Sequence, residues 1–279
     1  MTIPLIIPLI ARKVIPVRLR VRLRGSRLVR KVAASVLGGV THCEFPGSHF
    51  KLFFDGYRHI GFGLNISRLE LKERELVGKI VRKTAPLVVW DIGANIGIWS
   101  LFFSSICAEA NEIWCFEPDP ENLTFLAMNM EKNNLSNWVI RPFAVSRREG
   151  TTTFFADPVC GATGSIEHNK DFIGRFYHAD MMEMQVRTTT VDAEISSGAP
   201  PPQFIKIDVE GHELEVLEGA QNTLRNHRPS LIFETSRNHG KVSHFLRRLE
   251  YEFFDVDGKR IEEPQFNTIA APRELALFD

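Results

Sequence analysis

The sequence predicts an α/β domain built on a largely parallel sheet with helices on both faces, and three observations carry that expectation. First, the apolar run at residues 86–90 enters Asp91-Ile-Gly-Ala-Asn-Ile-Gly97 and then a second apolar stretch at 98–106. A buried strand, a glycine turn and a helix in that order bring backbone N–H groups up to a nucleotide-like ligand. Second, short apolar runs alternate from there with segments of helical period, which implies parallel strands covered on both sides. Third, two strand-like runs at 251–256 and 266–270, joined across Asp257-Gly258, resemble a closing antiparallel hairpin.

The elements follow in order. Val17, Leu19, Val21 and Leu23 alternate with arginines, the period of a half-buried strand. Residues 50–54 and 57–62 flank Asp55-Gly56 and predict a hairpin, followed by a helix over 69–83. After the first core strand, residues 111–116 form a second that ends at Glu117-Pro118. Asp119 then offers an N-cap and Pro120 a first helical residue for a helix reaching about Asn133. Strands are expected at 138–145, 151–156 and 186–191, separated by a long aperiodic loop at 157–184 of the kind that serves as a lid. Phe204-Ile-Lys-Ile207 forms the next core strand and leads into Asp208-Val-Glu-Gly211. A helix over 212–224 carries Leu214, Leu217 and Leu224 on one side, with Glu213 and Glu215 favouring its positive end. Residues 230–233 make a strand ending at Glu234, and Val242, Phe245, Leu246 and Leu249 mark one more helix face.

Composition is that of an ordinary globular chain, 44% hydrophobic and 24% charged, with material for one large domain. The chain divides into a basic arm at 1–40, a cap at 41–85 and a main domain at 86–279. Net charge is zero, yet Arg12, Lys13, Arg18, Arg20, Arg22, Arg24, Arg27, Arg30 and Lys31 all precede the first acidic residue, Glu44. Two readings of residues 12–31 stand: contact with an anionic membrane or nucleic acid, or a solvated segment leading into the domain. Residues 1–10 are apolar but too short to span a bilayer and are broken by two prolines. Positive charges follow this run instead of preceding it, the wrong order for a secretory signal. Cys43, Cys107, Cys115 and Cys160 form no C-x-x-C pair, which suits free thiols in a reducing, cytoplasmic compartment.

Three acidic residues are expected beyond the carboxyl ends of core strands, where open α/β sheets bind ligands: Asp91, Glu117 and Asp208. Glu117 lies 20 residues after Gly97, where a carboxylate accepts both ribose hydroxyls of a nucleoside. That role fits NAD and S-adenosylmethionine equally. The turn is Gly93-x-x-x-Gly97, however, without the three-glycine pattern that packs a helix on a pyrophosphate, and no P-loop occurs. Asp91 instead offers a negative charge to an ammonium group, which favours S-adenosylmethionine.

These residues resemble the FkbM-type branch of the class I S-adenosylmethionine-dependent methyltransferases. The likeness runs through the 91–97 loop, Glu117-Pro118, Ala144, Thr190-Val-Asp192, Phe204-Ile-Lys-Ile-Asp-Val-Glu-Gly211, Glu213, Val216-Leu-Glu-Gly-Ala220 and Asn267-Thr-Ile-Ala-Ala-Pro272. It implies a Rossmann-like, seven-stranded, mostly parallel sheet with the last strand antiparallel. It also implies methyl transfer to a hydroxyl of a sugar, glycolipid or secondary metabolite. By the same resemblance Asp91, Gly93 and Gly97 hold the methionine portion of the cofactor, with Asn95 in the same loop. Glu117 holds the ribose, Phe143 and Ala144 flank the adenine, and Asp208 lies beside the methyl donor. Phe143 departs from the polar residue expected at its position.

A hydroxyl acceptor must lose a proton, and Asp208, Glu210 and His212 are candidate bases. Strand periodicity sets Asp208 and Glu210 on one side and favours them, with His212 flanking its helix. The hard oxygens of Asp208, Glu210 and Glu234 suit magnesium. Turn N–H groups for Glu210, and Arg237 or an arginine of the arm for Glu234, account for them without a metal, and none is expected. Competing readings are a nicotinamide-dependent oxidoreductase, against which the missing third glycine counts, and a non-catalytic cofactor-binding protein. A third is an RNA methyltransferase guided by the basic arm. Residues 1–40 contain no aromatic side chain for base stacking, so nucleic acid is disfavoured.

Overall fold

The computed structural model describes residues 27–81, 87–106, 112–166, 181–235 and 238–275. The strand expected around residues 17–23, the loop at 167–180, Cys107 and Arg237 lie outside them. Helix α1 (Arg27–Leu37) leads into β1 (Val40–Glu44), which pairs antiparallel with β2 (Lys51–Asp55). Helices α2 (Ile60–Asn65) and α3 (Leu71–Val81) complete the cap. The hairpin expected across Asp55-Gly56 is therefore corrected: β2 pairs with the strand before it, and the chain after it turns helical. The Asp55 carboxylate explains the turn, because its Oδ1 accepts from the N–H groups of Tyr57 and Arg58 and its Oδ2 from that of Gly39.

The main domain opens with β3 (Val88–Ile92), α4 (Ile98–Ile106), β4 (Glu112–Phe116) and α5 (Pro120–Lys132). Asp119 caps α5 by accepting from the backbone N–H of Glu121 and Asn122, with Pro120 at the first position. The strand expected over 138–145 splits at Pro142-Phe143 into β5 (Trp138–Arg141) and β6 (Ala144–Val145). The second piece joins β7 (Gly150–Ala156) and β8 (Met182–Thr189) in a separate three-stranded sheet. Beyond β8, Thr190 accepts from Ala193 N and starts α6 (Val191–Ser196), so the strand expected over 186–191 ends earlier. After β9 (Phe204–Ile207), the single helix expected over 212–224 is two, α7 (Glu213–Glu218) and α8 (Gln221–Asn226), broken at Gly219. The chain closes with β10 (Ser230–Glu234), α9 (His239–Arg247), β11 (Tyr251–Phe254), β12 (Arg260–Ile261) and β13 (Asn267–Pro272).

The central sheet has the order β12-β11-β13-β10-β9-β3-β4-β5. Neighbours from β10 to β5 run parallel, and β13 inserts antiparallel between β10 and β11. The seven principal strands form the expected Rossmann-like α/β sheet; the short β12 adds an eighth at the edge. Strand order reverses at β3, so the crevice at its carboxyl end is the ligand position of such sheets. Side chains alternate across the sheet as strand geometry requires. Val89, Ile113, Phe204 and Ile232 pack under α3, α4 and α5. Trp90, Ile92, Phe116, Ile205 and Phe233 pack under α6 to α9. Among the described residues no helix is long and apolar enough to cross a membrane.

Two asparagines clamp the cap to this core. Asn129 of α5 accepts from Phe53 N (2.6 Å) and donates to Phe53 O (2.9 Å) and Ile96 O (2.8 Å). One turn later Asn133 makes the same paired contact with Lys51 N and O, each at 2.8 Å. An i, i+4 spacing on a helix thus matches an i, i+2 spacing on a strand, and α5 satisfies the outer edge of β2 as a neighbouring strand would. Asn129 is fully buried. Asn129→Ala leaves three backbone groups without partners and is expected to cost about 1–3 kcal/mol, read as a fall in Tm of several degrees by calorimetry.

Candidate active site

Three strand ends build the site. After β3 the chain turns at Gly93, whose N–H and that of Ala94 both donate to Phe116 O at the end of β4. A Cβ on Gly93 would stand 1.8 Å from the carbonyl oxygen of Asp208, so only glycine lets the turns after β3 and β9 interlock. Parallel pairing sets Asp91 directly beside Lys206. The Lys206 ammonium donates to Gly93 O (2.8 Å) and lies 3.3 Å from Asp208 and 3.5 Å from Asp91. Burial works against its charge, yet Asp208, Asp91 and Glu70 together raise its pKa.

A cavity opens above these turns, lined by Gly93, Asn95, Glu117, Asn122, Phe143, Ala144, Asp208, Glu210 and His212 among others. Glu117 is buried at its wall. Its Oε2 accepts from Asn95 N and its Oε1 from Asp119 N, each at 2.9 Å, and burial pushes its pKa up to about 7. Phe143 lies between Arg141 and Arg187, whose guanidinium carbons stand 4.9 and 4.6 Å from its ring centroid. Val145, Phe154 and Ile166 add apolar surface to the same wall.

Not every expected site residue reaches this space. Asp91 is fully buried beneath the loop, accepting from Ser100 Oγ at 2.6 Å, and does not line the cavity. Gly97 packs against Leu126 and Trp138. His212 lines the cavity at the start of α7 and contacts Ser146 Oγ at 2.9 Å.

The cap and the turn after β7 supply residues that periodicity does not reveal. Asp157 organises the turn by accepting from Val159 N, Cys160 N, Cys160 Sγ, Thr163 N and Thr163 Oγ1. Burial opposes its ionisation, but these donors hold its pKa below the ordinary value. Gly161 is thereby laid over the cavity, its carbonyl accepting from Asn95 Nδ2 (2.6 Å) and Asn122 Nδ2 (3.1 Å). From the cap, Arg58 pairs with Asp119 at 2.8 Å and with Glu121. His59 Nδ1 accepts from Asp55 N, which leaves Nε2–H to donate to Asn122 Oδ1 at 3.3 Å. Burial and Arg58 lower the His59 pKa to about 4, so the ring is neutral.

Beside Asp208 the structure gathers further carboxylates. Glu70, which precedes α3, accepts from Trp99 Nε1 at 2.9 Å. Its carboxylate, that of Asp208 and that of Glu234 offer oxygens within 4.8 Å of one another. Glu234 therefore does approach Asp208, with Glu70 in the place where Glu210 was considered. Burial, reinforced by Asp208, raises Glu70 to about 7, Glu210 to about 8 and Glu234 to about 9. Protons are held in this cluster near neutral pH, and a carboxylate titrating there is suited to general acid–base work.

Strand order, the glycine turn at the switch point and the acidic residue ending the next strand define a class I methyltransferase fold. Residues 91–257 match the methyltransferase FkbM domain, and the chain belongs to that family. Hexuronic acid methyltransferase AglP of Haloferax volcanii is 32% identical over 140 residues, which cover 50% of this chain and 52% of that protein. The match thus spans about half the length of that relative. Methyltransferase sdnD of Sordaria araneosa is 28% identical over 214 residues, covering 68% of this chain and 82% of that one. Among solved structures, methyltransferase FkbM from Methylobacillus flagellatus KT shares 19% identity at a TM-score of 0.47, over 66% of this chain and 43% of that chain.

Lys206 is the buried cation that faces fully buried Asp91. Lys206→Met leaves Asp91 with an uncompensated buried charge and is expected to cost about 3–5 kcal/mol in urea unfolding. Adding Asp91→Asn recovers part of that loss.

Proposed function

We propose that this protein transfers a methyl group from S-adenosylmethionine to a hydroxyl oxygen of a sugar, glycolipid or secondary metabolite. The observation that carries this reading is Glu117: a buried carboxylate at the end of β4, in the cavity wall, with Asn95 N–H beside it. A nucleoside needs such an acceptor for its ribose hydroxyls. The donor set fits the rest of the cofactor. Phe143, Ala144, Val145 and Ile166 offer an apolar slot for adenine, and Asp208 lines the same cavity on the side of the methyl donor. Asp91 acts from beneath, holding the loop through Ser100 and Lys206. Family membership supports methyl transfer, and a relative named for hexuronic acid supports a glycan acceptor.

When bound, the cofactor supplies an electrophilic methyl carbon on a sulfonium. This chain supplies alignment and a proton acceptor. Holding donor and acceptor in line contributes about 7–11 kcal/mol in well-oriented systems. Asp208 stands in the cavity wall beside Lys206, and Glu210 follows it in the same turn. Asp208, or Glu210 once it has itself ionised above about pH 8, would take the proton that the acceptor hydroxyl loses as the methyl carbon leaves sulfur and bonds to oxygen.

Calorimetry with S-adenosylmethionine, S-adenosylhomocysteine and NAD tests the reading: binding of the first two is expected, and binding of NAD alone overturns it. Glu117 must be ionised to accept from both ribose hydroxyls. Because its pKa is about 7, cofactor affinity is expected to fall about tenfold as pH drops from about 8 to about 6. Glu117→Gln weakens binding and removes that dependence. Asp208→Asn is expected to lower turnover by about 10²–10⁴ while changing cofactor affinity far less, with mass spectrometry of methylated glycans as the readout.

A further inference from the structure

Exposed apolar side chains cluster at one edge of the molecule. Of the seven large ones exposed among the described residues, Val32, Val36 and Val40 fall within nine consecutive positions, at 56%, 64% and 60% exposure. Val32 and Val36 stand one turn apart on α1, so they share a face, and Val40 opens β1 just beyond the helix. Ala33 and Leu37, about 100° round the helix, are half-buried. Immediately before this stripe the sequence places nine basic residues between Arg12 and Lys31 with no acid among them. Because the whole chain is neutral, the rest of it carries nine more acidic than basic residues. Charge is therefore segregated along the sequence, and the apolar stripe directly follows the basic run.

We propose that this edge docks on an anionic lipid bilayer, the valines entering the interface and the basic run binding the headgroups. An apolar stripe of this size anchors weakly by itself and needs a second, electrostatic signal, which the neighbouring arginines and lysines supply. The remainder of the chain, net acidic, is repelled by the same surface, which favours contact through the basic run and α1. A second copy of the chain fits less well: a two-fold contact through α1 would bring two basic runs together. Single-stranded nucleic acid lacks its aromatic stacking partners here, as residues 1–40 contain none. The docking edge is continuous with the site. Gly39 N donates to Asp55, and the same carboxylate holds the N–H groups of Tyr57 and Arg58, next to His59, which contacts Asn122 of the cavity wall.

The test is co-sedimentation of the full chain with phosphatidylcholine vesicles prepared with and without phosphatidylglycerol, alongside light scattering and binding of single-stranded RNA. Pelleting with the anionic vesicles only, lost on raising salt, is expected. Val32→Asp with Val36→Asp abolishes it, and Arg20→Gln, Arg22→Gln and Arg24→Gln each weaken partitioning about fivefold. Circular dichroism of both sets should match the parent, since the valines are exposed and the arginines precede the helix. Equal pelleting with neutral vesicles, no pelleting with either, or variants that bind as the parent does would overturn the proposal. So would retention on RNA alone, or a dimer that the valine substitutions break.

Discussion

A single buried ammonium holds the centre of this molecule together. Lys206 sits in the middle of a strand otherwise made of Phe204, Ile205 and Ile207, where a charge is costly unless it is fully compensated. Its compensation comes from three directions: Asp91 across the sheet, Asp208 two residues on, and the carbonyl of Gly93. Each partner belongs to a different part of the site. The same nitrogen therefore sets the height of the glycine turn, the direction of the turn after β9 and the charge balance of the acids above it. The resemblance in sequence assigns Asp91 to the cofactor; in the structure its carboxylate is buried beneath the loop, where Ser100 and Lys206 offset its burial.

The cavity is completed by segments outside the α/β frame. His59 orients Asn122, and Asn122 in turn donates to Gly161 O and, at 3.5 Å, to Glu117. Gly161 fits this corner because a Cβ would meet Arg58 Nε and His59 Nε2 at 2.8 Å each. Cap, helix α5 and the turn after β7 thus converge on the carboxylate at the end of β4. Neutral His59 suits that position, since a second positive charge beside Arg58 would compete with Arg58's own pairing to Asp119.

Elements governed by local chemistry were legible in the sequence. Asp119-Pro120 announces α5 because a cap and a fixed φ act within one turn. The core strands β3, β4, β9 and β10 are mostly apolar runs because they are largely buried on both faces. Asp55-Gly56 misleads for the converse reason. Taken locally it is a hairpin turn, but Gly39, 16 residues upstream, claims one oxygen of Asp55, and Tyr57 and Arg58, in the turn before α2, claim the other. A lysine within an apolar strand is a visible signal of a buried cation; its pairing with Asp91 depends on strand register, which no local pattern carries. Asn122 and His59 meet across 63 positions and belong to no periodic pattern. Glu70 likewise reaches Asp208 and Glu234 only once the cap is seated.

The asparagine clamp also orders events during synthesis. β2 is made well before its fastener: Phe53 and Lys51 wait for side chains 76 and 82 residues further along the chain. Asn129 must also find Ile96 O, at the loop after β3, so the clamp closes only when β3, α4, β4 and α5 have assembled. Until then the two cap strands leave the ribosome as an isolated pair, which is marginally stable at best in water. The cap strands are thus translated ahead of the elements that fasten them and are among the last described parts to settle, and a nascent chain halted before α5 would present the unpaired edge of β2 to whatever is nearby.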